Sequence, residues 1–170
     1  MRTNKTLAAL LLALTLLLSL SVPAFAADVQ YPTTRAFIQA LDERGLKYTW
    51  AGVDSDGDEK VTVEFVGDYK DKLVVNLFFG QDHDLVDPRI WNLVDINESD
   101  YAKVLDACNE LHANYKFVTF FVDKTDWSVT AKLDLPIREG ESCGEICIDG
   151  LSYLINIADT GYDTLKAFAK

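Results

Sequence analysis

The chain has 170 residues, 49% of them apolar, and sets 27 acidic side chains against 16 basic ones for a formal net charge of −11. That balance repels phosphate backbones and argues against nucleic acid as a partner. The length suits one domain with one sizeable core, and no long single-sign run or low-complexity tract marks disorder.

Residues 1–26 read as a secretory signal peptide. Arg2 and Lys5 precede an apolar run from Leu7 to Leu20, and Ala24-Phe25-Ala26 offers small-x-small cleavage after Ala26. The run is shorter than the roughly 20 residues that span a bilayer, so membrane contact is expected only through an uncleaved leader. Cleavage leaves 14 basic and 27 acidic residues, a net charge of −13. The expected location is secreted or extracytoplasmic, with 27–32 a flexible start and 33–170 a single domain.

Pro32-Thr33-Thr34 opens a helix near 34–44, with a threonine as N-cap, Phe37, Ile38 and Leu41 on one face, and Gly45 as the stop. Tyr48 and Trp50 begin a hairpin. Its turn is Asp54-Ser55-Asp56-Gly57-Asp58 and its second strand carries Val61, Val63 and Phe65 in alternation with polar residues. Lys72 to Phe79 and Ile90 to Ile96 form a second pair around a polar loop, 80–89. Both are apolar on two faces: Val74 and Phe78 back the Leu73, Val75, Leu77, Phe79 face, while Trp91 and Leu93 oppose Ile90 and Val94. Such strands are central or covered on both sides.

Glu98 to Ala113 reads as a second helix capped by Asn97 or Ser99, with Tyr101, Val104, Leu105, Cys108, Leu111 and His112 in one stripe. Tyr115 to Val122 is a strand apolar on both faces. After a turn at 123–126, Trp127 to Leu135 alternates strictly and reads as one-sided, closed by Pro136. The remainder is helical from about Glu141, with Gly161 expected to bend or interrupt it. The order helix, four strands, helix, two strands, helix gives an α+β class with an antiparallel sheet.

The Asp54–Asp58 run invites a calcium reading, but an EF-hand register would need glycine at 59 and glutamate at 65, where Glu59 and Phe65 stand. An Asp/Gly turn is the plainer expectation, and no metal ligand is assigned. Cys143 and Cys147 lie four apart and Cys108 is on the second helix stripe. A Cys143–Cys147 disulfide, a bridge from Cys108 and three buried thiols all remain open. His83 and His112 are too few and too separated for a zinc site. No G-x-S-x-G elbow or glycine-rich phosphate loop is present. No catalytic residue and no cofactor are therefore assigned. Phe78 and Trp91 are the candidate partner-binding residues, whereas Trp50 and Trp127 are expected in the core.

The block DACNELHANYKFVTFFVD (106–123), the turn after it and WSVTAKLDLP (127–136) resemble the YbjN domain family, and the likeness extends loosely over 33–170. Asn109, Asn114 and the corner Asp134-Leu135-Pro136 carry it. The resemblance implies a fold like the type III secretion chaperones, a helix-packed antiparallel sheet, often dimeric, that holds other polypeptides. It implies no catalytic residue. The reading is a secreted, non-enzymatic protein-interaction or chaperone-like, regulatory module with a protein partner and homodimer formation. The alternative is an extracytoplasmic sensor domain for a ligand or ion.

Overall fold

A computed structural model describes residues 28–140 and 142–170; the expected leader, 1–26, lies outside the described residues. Helix α1 (Pro32–Glu43) precedes strands β1 (Tyr48–Val53), β2 (Glu59–Phe65), β3 (Leu73–Phe79) and β4 (Leu85–Asp95). Helix α2 (Tyr101–Asn114), strands β5 (Val118–Asp123), β6 (Ser128–Leu133) and the two-residue β7 (Leu135–Pro136), and helix α3 (Cys143–Leu165) follow. The α+β order is the expected one with β7 added. All pairings are antiparallel, and the strands lie in the order β1-β2-β3-β4-β6-β5, with β7 also paired to β4.

Within the expected flexible start, residues 29–31 contact the body of the domain. Val29 is buried, and the Gln30 and Tyr31 amides donate to the two carboxylate oxygens of Glu59 at 2.7 and 3.1 Å. Tyr31, in extended conformation, is the N-cap of α1 rather than a threonine. Pro32 at the first turn loses nothing by lacking an N–H, because that donor has no partner within a helix. Thr33 and Thr34 are inside the helix and buried. Gly45 ends it as expected: at φ +64° its amide reaches Asp42 O, and the Leu46 amide reaches Leu41 O.

Two sequence boundaries move for physical reasons. Strand β4 begins at Leu85 rather than Ile90, because β3 pairs one side of its first residues and β7 the other. The register of β4 shifts between Ile90 and Val94, with Asn92 at φ +49°. This bulge separates two residues that alternation puts on one face: Leu93 is buried and Trp91 is exposed. The second helix starts with a 3-10 turn at Glu98–Asp100 and becomes α-helical at Tyr101, with no side-chain cap from Asn97.

Further along, Trp127 sits in the turn at φ +58°, and β6 starts at Ser128. The polar face of β6 is not wet. Ser128 and Thr130 are buried because the strand lies between β4 and β5. Gly161 does not interrupt α3. A Cβ there would lie 2.7 Å from the Phe120 ring, so the missing side chain admits that ring.

The helices pack on one face of the sheet. Phe37 of α1 meets Phe79 of β3 with ring centroids 5.5 Å apart, α3 runs across β3, β4, β5 and β6, and α2 packs on β5. The strand residues facing them, including Val61, Val75, Leu77, Ile90, Ala131 and Phe120, are buried. Strands β3 and β4 are central as their two-sided pattern predicts, yet among the described residues no helix packs on their second face.

Candidate functional site

The uncovered face is defined by register. Thr49, Thr62, Asn76, Arg89, Lys132 and Thr119 pair in sequence across β1, β2, β3, β4, β6 and β5, forming one polar row over six strands. Thr62 Oγ1 lies 3.1 Å from Asn76 Oδ1 and donates to it. A second row sets Lys60 opposite Phe78 and Phe78 opposite Asp87.

Phe78 and Trp91 come together over this face with ring centroids 5.6 Å apart. Trp91 remains 43% exposed. Lys60 Nζ lies 5.6 Å from the Phe78 centroid and 5.2 Å from that of Trp91, and the Arg89 guanidinium carbon is 5.6 Å from Phe78. Cations over ring faces hold both partners in place with about 0.5–1 kcal/mol at exposed sites. Arg89 is also paired with Asp87, its Nε donating to Oδ2 at 2.9 Å. That hydrogen bond raises the arginine's proton affinity further.

Phe78 also lines an acidic bowl of about 430 Å³ with Asp56, Asp58, Asp82, Asp84 and Asp87. The sequence shows two separate aspartate clusters; the β2–β3–β4 pairing brings them together. Asp54 is occupied otherwise, its Oδ1 accepting the Asp56 and Asp58 amides at 2.9 and 3.0 Å, which supports the turn reading of that loop. Among the described residues no three His, Cys, Asp or Glu side chains converge as metal ligands.

The Asp58 carboxyl is held above its ordinary range, first by desolvation and then by Asp54, Asp56 and Asp87, with Arg89 opposing. A carboxyl whose pKa is higher folded than unfolded weakens the fold once ionised, so this cost appears as pH rises through the folded value. Asp58→Asn is expected to raise stability at pH 7 by about 0.5 kcal/mol after allowance for solvent screening. The gain over wild type should vanish below about pH 3.9, where the unfolded carboxyl is protonated too. Parallel thermal melts across that range check it, and an unchanged or lower Tm at pH 7 would refute it.

Cys143 and Cys147 lie at the start of α3, on the helix side of the sheet, as free buried thiols, and Cys108 is a third. The first two share a hydrogen bond that draws Cys143 down and, with burial, pushes Cys147 up. Burial pushes Cys108 up to about 11. Trp50 and Trp127 are half-buried and packed against the core. His112 Nε2 accepts the Phe120 amide of edge strand β5 at 2.8 Å, a role that helical spacing alone does not reveal.

No family model matches the sequence, and no curated protein matches it. The solved structure of YbjN from E. coli, a candidate transcription regulator, is similar at TM-score 0.56 and 11% identity, over 76% of this chain and 88% of that one. The fold is YbjN-like. At that identity the likeness to YbjN concerns the path of the chain and carries no residue roles.

The sequence reading missed Lys60 and Arg89, because only strand register places them beside the rings. It also missed Phe117, 75% exposed at φ +70°, which meets Tyr153 at 6.1 Å and lines a separate groove of about 390 Å³ with Ile146 and Leu135.

Proposed function

We propose that this chain is a distant member of the YbjN family and acts outside the cytoplasm as a non-enzymatic protein-interaction module, docking partners on the open face of its sheet. The observation that carries this reading is the pairing of exposed Trp91 with half-buried Phe78 on a sheet face that no described helix covers. A rigid aromatic pair on central strands supplies contact area at little entropic cost. Regulation, the role associated with YbjN, would then operate through protein contact, since the net charge of −11 opposes binding to nucleic acid. The leader-like residues 1–26 support the location.

A photo-crosslinking amino acid at position 91 of the full chain, expressed in its native host, tests the docking role. The expected result is a discrete adduct with another polypeptide, absent when the same group replaces Lys103 on α2. No adduct beyond that control would sink it. Trp91→Ala should weaken capture by about 30-fold or more, as for an aromatic hot spot, while changing stability by less than about 1 kcal/mol. Sequencing the N-terminus of the protein in the extracytoplasmic fraction tests the address. A chain starting at Ala27 is expected, and an intact leader retained in the cytoplasm would refute it.

A further inference from the structure

We infer that the docked partner is a cationic polypeptide segment, with basic side chains entering the acidic bowl and adjoining apolar side chains lying over Phe78 and Trp91. This rests on the docking reading and adds the partner's chemistry. Phe78 is shared: its ring stacks with Trp91 at 5.6 Å and also lines the bowl, so the apolar anchor and the acidic sink are continuous. Five carboxyl groups surround that bowl, from Asp56, Asp58, Asp82, Asp84 and Asp87.

The neighbouring cations neutralise only one of these carboxylates, that of Asp87. Arg89 is paired with Asp87, and Lys60 lies over the two rings. Asp87 Oδ1 is nevertheless buried with no hydrogen-bond partner. Desolvation and then the like charges of Asp54, Asp56 and Asp87 raise the Asp58 proton affinity, and a bound cation would relieve the second of these. Charge complementarity of this kind selects partners and speeds their encounter, and it disfavours an acidic segment of equal hydrophobicity.

The probe is a fluorescein-labelled peptide with a lysine block followed by alternating leucine and serine, read by anisotropy against the protein as recovered from expressing cells. A glutamate-block peptide is its counterpart. Two triple variants carry the same change in net charge. Asp56→Asn with Asp82→Asn and Asp84→Asn removes three of the bowl's five carboxylates, while Glu98→Gln with Asp106→Asn and Glu110→Gln removes exposed acids around α2. Melting curves confirm that each variant folds.

The bowl variant is expected to weaken lysine-peptide binding by about tenfold or more and the α2 variant by less than about twofold, since screened surface charge contributes little at a distance. Equal weakening by both variants, or equal binding of the glutamate peptide, would overturn the inference. If the bowl variant is silent but Trp91→Ala still weakens peptide binding by about tenfold or more, the docking face stands and the cationic partner falls. If neither the bowl variant nor Trp91→Ala weakens peptide binding, both fall. A dimer in sedimentation that Trp91→Ala dissociates would assign the face to a second copy and also overturn the inference.

Discussion

Asp159→Ala is expected to destabilise the fold by about 3 kcal/mol, lowering Tm by roughly 6–12 °C. Asp159 lies on α3, only 7% exposed, and its carboxylate holds the turn between β2 and β3. Oδ2 accepts the Asp68 amide at 2.7 Å and Oδ1 the Lys70 amide at 2.9 Å, while the Tyr69 amide points at both. A turn with three amides on one side needs an anion there, and hydrogen bonds to a charged acceptor are each worth about 1.5–3 kcal/mol. Removing the acceptor leaves half-buried donors without partners, which costs more than the bonds contribute net. Gly67 approaches so closely that any Cβ would strike the carboxylate. Asp159→Asn keeps one carbonyl acceptor but turns an N–H₂ toward N–H donors, so about half the loss is expected. Chemical denaturation measures both, and faster hydrogen exchange at Asp68, Tyr69 and Lys70 should accompany them. A loss under about 1 kcal/mol for Asp159→Ala would show that water replaces the carboxylate.

Asp159 also marks where sequence reading stops. Period and punctuation suffice for most elements: Gly45 ends α1 where its left-handed conformation requires, and the Asp54–Gly57 turn separates two alternating strands. The two-sided apolar pattern of 73–79 identifies a central strand, because its register pairs it with β2 and β4. What pattern cannot supply is the partner of a polar residue far away in the chain. Asp159 reads as a wet helix position and Glu59 as a strand start, yet each is a buried acceptor of main-chain amides. The bulge at Asn92 is equally silent in the sequence, and it is what exposes Trp91 while Leu93 turns inward. The rings of the candidate site are therefore visible as residues, but Lys60, Arg89 and the convergent aspartates become neighbours only through strand order.

The second large effect concerns a glycine that the helical pattern presents as a weakness. In an exposed helix, glycine to alanine stabilises by about 1 kcal/mol. Gly144→Ala is expected to do the opposite, with a net loss of about 2 kcal/mol. Gly144 is in the first turn of α3, buried against α1. An added Cβ would collide with the Ala36 carbonyl oxygen and sit 3.0 Å from its carbon and 3.1 Å from Ala40 Cβ. These are backbone and near-backbone atoms of a helix, so they yield only if α1 and α3 separate, and overpacking of that kind costs about 1–3 kcal/mol beyond the propensity gain. Gly161 provides the internal comparison. Its Cβ would meet Phe120 Cε1 and Cζ at 2.7 Å, the far end of a buried side chain rather than main chain, so a small shift of the ring can absorb it. Gly161→Ala should therefore fall within about 1 kcal/mol of wild type, the propensity gain offsetting the displaced ring. Urea denaturation of the two variants decides the matter. Equal effects at both positions would mean that helix propensity, rather than the α1–α3 approach, sets the cost.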